Sequence, residues 1–394
     1  MNKNDDYVTL TAVGDIMLGW GVEERIKGWS GGYPFESVAP ILQSSDITFG
    51  NLEAPLTTES KKAVWDYTKI LDKPVIIDGK TYGSSIYCKA DPVAAERLSH
   101  AGFNVLSLAN NHIMDYGEEG LNETLDTLIQ CNIKTVGAGR NLSEARKPVI
   151  FEVNGVNIGI LAYCDTYIAG RRRAGVAPTK YIEQDIQNLK KCADFIVVSI
   201  HQGMDISEYP LKSEVERMHQ IIDWGANIIL RHHPHVVQGL EEYNGGIILY
   251  SLGNFVFDYT IDPLWKDLEK AKHAVIFQCR LTKNKVLDYD IISVGLDKSF
   301  QPVVLQNAEK EKCDAYLCEI SSKFLEIQSD EGDSQTEENY LKINAILAYH
   351  VILSSIKKGQ FRNILLIVNK VSMSDFKALL KWTVNKVSLR VLTE

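Results

Sequence analysis

The sequence predicts an α/β protein, in which strands alternate with helices along most of the chain. Apolar runs rich in Val, Ile and Phe, typical of buried strands, alternate up to residue 240 with segments of helical periodicity at 91–100, 117–130 and 213–224. Clusters of Asp, Asn, Glu and His follow these runs. Polar side chains at strand ends can be gathered at one edge of a sheet, where they form a site on a rigid support.

The pattern changes after residue 235. Four apolar runs separated by short turns, at 236–243, 245–253, 273–281 and 285–296, predict consecutive strands of a second sheet. Farther on, the acidic segment 328–338 lacks apolar residues and predicts an exposed linker, and helical spacing returns beyond it. We therefore predict a main domain at 1–305 and a mainly helical C-terminal region at 306–394.

Composition limits the possible partners and compartment. With 394 residues, 45% of them hydrophobic, the chain can form a large core. A formal net charge of −9 argues against nucleic acid as the main partner. Seven cysteines without CxxC spacing favour reduced thiols. Neither a signal peptide nor a membrane segment is recognisable, so we predict a cytoplasmic location and leave the oligomeric state open.

Six polar clusters carry the candidate chemistry. They are GDIM at 14–17, GNLE at 50–53, NNH at 110–112, HQG at 201–203, HHPH at 232–235 and SLGNF at 251–255. Their carboxylate, amide and imidazole groups together suit a borderline divalent ion such as Zn²⁺, Mn²⁺ or Fe²⁺. The sequence therefore predicts a site for such an ion.

Taken singly, each candidate ligand has an ordinary structural explanation. Asp15 also fits a turn, Glu53 a surface position, and His201 a core histidine. The histidine triplet at 232–235 is harder to explain as a loop, because side-chain alternation in a strand would place His233 and His235 on the same side. Only the combination of clusters favours a metal site over these readings.

The ordered motifs resemble the capsule-synthesis CapA family, a branch of the calcineurin-like metallophosphoesterase superfamily. The matching segments within about 8–260 are GDIMLG, GNLEAPLT, LANNHIMDYGEEGL, HQGMD, HHPHVVQ and YSLGNFVFD, together with GAGRNLSEARKP at 137–148. The resemblance implies a four-layer α/β/β/α sandwich, followed here by the helical appendage, with its site on loops at one edge of the paired sheets.

The resemblance also assigns roles to particular residues. It implies metal ligation, with Glu53 in the bridging position, by Asp15, Glu53, Asn111, His201, His233 and His235. It implies that His112 protonates the leaving group, a task suited to an imidazole.

Several positions depart from the family pattern. Met17 replaces a histidine ligand, and because a thioether binds such ions poorly, one of the two metal positions is expected to be weak. Trp20 stands where Arg is usual, Gln202 where Trp is usual, Asp205 where Glu is usual and Arg231 where Gly is usual. We expect changed substrate contacts near Trp20, Gln202 and Arg231.

Charged residues near the other motifs suggest further roles. Arg171, Arg172 and Arg173 form either a solvated loop or an anion clamp for carboxylates or phosphates. Asp165 and Asp258 end strand-like runs, and we expect them to orient ligand histidines as second-shell partners.

Three functions remain open from the sequence. The first is a metal-dependent hydrolase that uses metal-activated water on a peptide, polyglutamate-like or phosphoester substrate. The second is an epimerase that exchanges a proton α to a peptide carbonyl, using His112 with His233 or Asp15 as acid and base. The third is a non-catalytic binding or scaffold protein. The CapA resemblance implies an anionic polymer or peptide as the partner.

Overall fold

The computed structural model describes residues 7–28, 32–63, 75–77, 80–82, 86–261, 268–283 and 285–327. The chain divides into two compact units, one formed by 1–62 with 88–326 and the other by 63–87 with 327–394. Within the second unit, the strands β3 (Val75–Ile77) and β4 (Lys80–Tyr82) pair as an antiparallel hairpin. The predicted linker at 328–338 and the helices beyond it lie outside the described residues.

The larger sheet of the first unit has eight strands. Its order is β18-β17-β16-β1-β2-β5-β6, and β15 also pairs with β1. The strands β1, β2, β5, β6 and β15 run parallel, whereas β16, β17 and β18 extend the sheet in antiparallel fashion. These strands are β1 (Val8–Ile16), β2 (Ile47–Leu52), β5 (Val105–Ser107), β6 (Lys134–Val136), β15 (Asn254–Val256), β16 (His273–Leu281), β17 (Val286–Leu296) and β18 (Pro302–Val304).

The second sheet has six strands in the order β13-β14-β12-β11-β9-β8. Its members are β8 (Val149–Val153), β9 (Val156–Tyr163), β11 (Phe195–His201), β12 (Ile228–His232), β13 (Leu240–Tyr243) and β14 (Gly246–Leu249). A separate two-stranded ladder joins β7 (Ala138–Gly139) to β10 (Gly175–Val176). The four runs predicted to form one second sheet are therefore divided: β13 and β14 lie in the six-stranded sheet, whereas β16 and β17 lie in the eight-stranded sheet. The change of sheet occurs at β15, which follows β14 in the chain and pairs with β1.

Eight α-helices are present among the described residues. They are α1 (Trp20–Gly28), α2 (Ala39–Leu42), α3 (Ala94–Ala101), α4 (Gly117–Gln130), α5 (Leu142–Ala145), α6 (Ile182–Leu189), α7 (Lys212–Trp224) and α8 (Asn307–Ile327). The predicted helices at 91–100, 117–130 and 213–224 correspond to α3, α4 and α7. In the described residues, no helix is long and apolar enough to cross a membrane.

Burial shows that central strands of both sheets are covered on both faces. Every residue of β2, β11 and β12 is buried, the pattern of strands enclosed on each side. On the six-stranded sheet, Ile186 of α6 and Met218 of α7 pack in one apolar cluster with Val198 of β11. α4 packs against β6, and β1 packs against β12 across the sheets. This confirms the α/β class and the sandwich of two sheets with helices packed on them.

Helix α8 forms the first part of the predicted C-terminal region and packs within the first unit. Its Ile320 and Cys313 are buried, and the Ser321 hydroxyl accepts a hydrogen bond from the Leu240 amide at 3.0 Å. Through residue 326 this helix therefore belongs to the first unit.

Candidate metal centre

The candidate site lies where the carboxyl ends of the central strands from both sheets meet. Asp15 near the end of β1 is in register with Asn51 of β2, and His201 of β11 is in register with His232 of β12. Glu53 follows directly after β2. Because the ends of parallel strands share one sheet edge, polar residues that are distant in sequence become neighbours here.

A glycine allows the strands beside Asp15 to approach closely. A Cβ atom on Gly14 would lie 1.9 Å from the carbonyl oxygen of Gly253, so no other residue fits without moving the backbone. The Asp15 amide donates to that same oxygen at 2.9 Å, and Asn254 is paired with Asp15 in the β1–β15 ladder. Gly14 therefore permits Asn254 to enter the site.

Asp15 is fully buried and is surrounded by donors. Asn51 Nδ2 donates to Oδ1 at 2.8 Å, and the His233 amide donates to Oδ2 at 3.2 Å. His232 Nδ1 lies 3.2 Å from Oδ1. Burial acts to raise the pKa of Asp15, but the adjacent imidazoles, that of His232 foremost, outweigh it and hold the pKa below its ordinary value. Asp15 is therefore a carboxylate at neutral pH.

Glu53 is the most unusual group in the site. Its side chain is fully buried, and neither carboxylate oxygen has a hydrogen-bond partner among the described residues. Oε1 lies 3.6 Å from His201 Nε2 and 3.7 Å from His235 Nε2. Burial, followed by the nearby charge of Asp15, raises the pKa of Glu53 well above its ordinary value. A buried carboxylate without partners is costly, and a cation between it and the imidazoles would satisfy it.

His201 is held as a neutral imidazole. Burial, followed by the neighbouring His233, lowers its pKa well below the ordinary value. Its Nδ1 lies 3.2 Å from Asn51 Nδ2 and its Nε2 lies 2.8 Å from Asn111 Oδ1. Neutral imidazole is the form that binds metal ions, and the predicted ligands Asn111 and His201 are in direct contact.

His233 and His235 converge through the backbone of a loop. Strand β12 ends at His232, and both later histidines have positive φ angles, 97° for His233 and 60° for His235. Their ring centroids lie 5.6 Å apart, and the His233 ring lies 4.8 Å from that of His201. The expected alternation along a strand is therefore not the cause of their proximity. Left-handed backbone at two non-glycine residues is uncommon and is a frequent feature of functional sites.

Each of these two histidines has a partner on one ring nitrogen. His235 Nδ1 lies 2.9 Å from Oδ1 of Asn254, so its Nε2 is the nitrogen near Glu53. His233 Nε2 lies 3.3 Å from Asp205 Oδ1, while its buried Nδ1 has no hydrogen-bond partner within the described ranges. Burial lowers the pKa of His233 although Asp205 opposes the shift. Partners of this kind select the nitrogen that faces a metal.

The donor atoms form three overlapping sets in which all atoms lie within 4.8 Å of one another. The sets are Asp15, Glu53 and His235; Glu53, His201 and His233; and Asp205, His233 and His235. The structure thus gathers five of the predicted ligands, and Asn111 joins them through His201. Asp205, which the sequence marked only as a departure from the family, is an additional donor. The carboxylate and imidazole groups fit a borderline divalent cation.

Met17 is close to this centre but its sulfur has another contact. The residue is fully buried, and Sδ accepts a hydrogen bond from the Gly19 amide at 3.1 Å. The thioether is therefore engaged in the turn that leads into α1.

His112 is paired with a buried acid that the sequence analysis missed. Its Nδ1 lies 2.8 Å from Oδ2 of Asp115, which also accepts a hydrogen bond from the Cys88 amide at 2.8 Å. Asn110 Oδ1 accepts from the amides of His112 and Ile113 and thereby shapes the loop. The three-residue spacing in NNHIMD was the available signal for the pair. With Nδ1 bonded to Asp115, Nε2 is the nitrogen left for proton transfer.

The three positions predicted to contact substrate lie in different environments. Trp20 is half-buried, with its ring edge-to-face with Phe257 at 6.2 Å. Gln202 is exposed. Arg231 is fully buried, and its Nη2 bonds Glu214 Oε1 at 2.8 Å and the Gln202 carbonyl at 3.0 Å. In this position Arg231 supports the Gln202 backbone, and substrate contact by the three residues remains a prediction.

The arginine triplet lies in the loop between β9 and β10. Arg171, Arg172 and Arg173 are exposed, and Arg173 Nη2 donates to the Ile168 carbonyl at 2.9 Å. Arg173 thus closes its own loop, and the role of the triplet as an anion clamp remains a prediction.

Asp165 and Asp258, predicted to orient ligand histidines, both accept hydrogen bonds within turns. Asp165 accepts hydrogen bonds from the amide and hydroxyl of Thr179, at 2.9 and 2.6 Å. Asp258 accepts from the amides of Gly21 and Thr260, at 3.1 and 3.0 Å. Both carboxylates therefore stabilise turns, and an orienting role towards the ligand histidines stays a prediction. Among the described residues, Asp115 contacts the His112 ring, Asp205 the His233 ring and Asn254 the His235 ring.

Comparison with known proteins agrees with the family that these motifs indicate. Residues 9–259 match the family described as "Bacterial capsule synthesis protein PGA_cap". The chain is 31% identical over 332 residues to the capsule biosynthesis protein CapA of Bacillus anthracis, covering 82% of this chain and 75% of that protein. It is 32% identical over 316 residues to the PGA biosynthesis protein CapA of Bacillus subtilis, covering 78% and 77%. A probable polyglutamine synthesis accessory protein of Mycobacterium tuberculosis is 27% identical over 311 residues, covering 66% and 77%. The chain belongs to the bacterial capsule synthesis protein PGA_cap family.

Proposed function

We propose that this protein is a metal-dependent hydrolase that cleaves a glutamyl polymer or a related anionic peptide during capsule-type polymer synthesis. The observation that supports the proposal best is Glu53, a fully buried carboxylate whose two oxygens have no hydrogen-bond partner in the part of the chain that the structure describes. Imidazole nitrogens of His201 and His235 face Glu53 Oε1 at 3.6 and 3.7 Å. Such an arrangement is costly unless a cation completes it.

The residues that would hold the cation are those gathered at the sheet edge, namely Asp15, Glu53, Asn111, His201, His233 and His235. When bound there, a divalent ion would supply Lewis-acid polarisation of the scissile group and a more acidic water nucleophile. Because the Met17 sulfur is engaged with Gly19, we expect one tightly held ion and a weaker second position.

The proton that the leaving group needs is assigned to His112. Asp115 accepts from Nδ1 and thereby fixes the tautomer and stabilises the charged form of the ring. Proton donation from Nε2 to the departing nitrogen or oxygen then completes cleavage.

The proposed substrate class comes from charge and from the relatives. The printed names of the relatives connect them with capsule, PGA and polyglutamine synthesis. Exposed Arg171 and Arg172 would attract the carboxylates of such a chain, since guanidinium groups bind carboxylates in a forked geometry.

The first experiment combines metal content with turnover. Protein purified without chelators is assayed for Zn, Mn and Fe, and then for cleavage of γ-linked glutamate oligomers, α-linked oligomers and a nitrophenyl phosphodiester. We expect metal and γ-oligomer hydrolysis in the wild type and loss of both in Glu53→Gln and His235→Ala. The matched controls are Glu216→Gln and His100→Ala, which change exposed residues of the same types.

The outcomes separate the alternatives. Metal-free, well-folded wild-type protein would contradict the proposal. The word "accessory" in one relative's name favours a second candidate, a protein that binds the polymer without cleaving it. Metal and polymer binding without turnover would support that candidate. Deuterium incorporation at the α carbon without bond cleavage would instead identify an epimerase.

A further inference from the structure

A second group of metal-binding side chains lies beside the proposed acid. Cys88, His112 and Asp115 each offer one ligand atom, and these atoms lie within 4.8 Å of one another. Cys88 and Asp115 are almost completely buried, and the His112 side chain is 15% exposed. The three residues share no member with the donor sets around Glu53.

Asp115 holds this group together. Its Oδ2 accepts hydrogen bonds from the Cys88 amide and lies 2.8 Å from His112 Nδ1. The extended segment that carries Cys88 and the loop that carries His112 are therefore fixed against each other by one oxygen. Donor atoms held in place before a metal arrives reduce the cost of binding it.

The chemistry of the group indicates which ion it would take. A thiolate, an imidazole and a carboxylate form a ligand set typical of Zn²⁺, with a fourth position available for water. Sulfur ligands disfavour Mg²⁺ and Ca²⁺, which prefer oxygen.

We propose that Cys88, His112 and Asp115 form an inhibitory Zn²⁺ site separate from the metal centre at Glu53. Zn²⁺ would bind the Cys88 sulfur, one His112 imidazole nitrogen and an Asp115 oxygen, and the thiol proton would pass to water. A zinc-bound His112 can no longer deliver a proton to a leaving group. The inhibition rests on the proposed function, whereas the binding site itself does not.

Cobalt serves as a spectroscopic substitute for zinc at this site. The test uses full-length protein in which the exposed cysteines Cys192 and Cys318 are replaced by Ser, so that surface thiols do not contribute. We expect Co²⁺ to produce a near-ultraviolet thiolate-to-metal absorption band that one equivalent of Zn²⁺ removes. The band should persist in Glu53→Gln and disappear in Cys88→Ser. Cys164→Ser, which changes another buried thiol, is the matched control and should retain it.

The cobalt absorption band tests the zinc site independently of the hydrolase proposal, because it is measured without any substrate. If hydrolysis is found, excess Zn²⁺ should inhibit the wild type at least tenfold more strongly than Cys88→Ser. Absence of the band in the folded parent protein, in which only Cys192 and Cys318 are replaced, or its persistence in Cys88→Ser, would overturn the site. Cys88→Ala is measured as well, with thermal unfolding of each variant, so that misfolding is recognised.

Discussion

His112 Nδ1 lies 2.8 Å from Oδ2 of Asp115, an acid whose side chain is completely buried. The pair spans only three residues, but Asp115 also accepts the amide of Cys88 from a distant segment. The carboxylate is thereby fixed on two sides, and it fixes the tautomer of the imidazole in turn. Partners of this kind affect chemistry without contacting the substrate.

In a Cys88→Ser background, which removes the proposed zinc site at Asp115, we expect Asp115→Asn to lower kcat about 10- to 100-fold while the metal content of the Glu53 centre stays unchanged. The amide cannot stabilise a positively charged His112, and it allows the other tautomer to form. Steady-state kinetics and elemental analysis on the same preparation check this. The control is Asp126→Asn, which removes an exposed carboxylate paired with Arg140. Loss of metal in Asp115→Asn would contradict the separation of the two roles.

Asn254 should act on metal affinity rather than on proton transfer. Its Oδ1 lies 2.9 Å from His235 Nδ1, and its Nδ2 donates to the Ala271 carbonyl at 3.2 Å, so the amide is held in one orientation. In Asn254→Ala we expect the dissociation constant for the metal to rise about 10- to 100-fold, because His235 loses its orienting partner. Competition with a chelator of known affinity measures this, with Asn188→Ala, an exposed helix position, as the control. An unchanged affinity would show that the loop alone orients His235.

Glu53 should make the metal-free protein less stable as pH rises. Its pKa in the folded state is raised well above the ordinary value of 4.5, by burial first and by Asp15 second. At a pH between the Glu53 pKa of the unfolded chain and that of the folded protein, the folded state keeps a proton on Glu53 that the unfolded state has lost. The free energy of unfolding therefore falls as pH rises through this range, and it stops falling above the folded-state pKa. Glu53→Gln lacks this titration.

Chelator-treated Glu53→Gln should therefore be more stable than the wild type at neutral pH, by about 1 to 3 kcal/mol. At a pH below the ordinary pKa of Glu the difference should shrink. Urea unfolding across that pH range measures both effects. A pH-independent difference between the two proteins would contradict the assignment of the titration to Glu53.

The sequence was sufficient to predict the elements that carry the site, because strand ends are marked by a change from apolar to polar residues. Asp15, Glu53 and His201 were found in this way, and all three lie at the joined edges of the two sheets. The division of the later strands between the sheets was not predictable from periodicity. Hydrophobic alternation describes a strand but not its neighbour, and β15 and β16 join β1 by contacts distant in sequence.

The orienting partners were missed for a related physical reason. Asn254 reaches His235 only because Gly14 lets β15 approach β1, and His235 itself depends on a positive φ angle. Neither the close approach nor the loop backbone leaves a periodic signal. Conversely, Asp165 was assigned to a histidine because it ends a strand-like run, whereas the nearest donors are those of Thr179.

The exposed arginines should affect substrate binding and not the chemical step. We expect Arg171→Ala with Arg172→Ala to raise KM for a glutamate oligomer about tenfold with kcat unchanged, since these guanidinium groups would bind carboxylates of the polymer and take no part in the cleavage. The effect should shrink at high salt, because exposed charges are screened.

The control is Lys283→Ala with Lys285→Ala, which also removes two positive charges. That pair lies at the turn between β16 and β17, at the end of the sheet opposite Asp15, because Leu281 is paired with Val8 at the start of β1. Equal changes in KM for both double variants would mean that net charge, rather than the arginine loop, attracts the polymer.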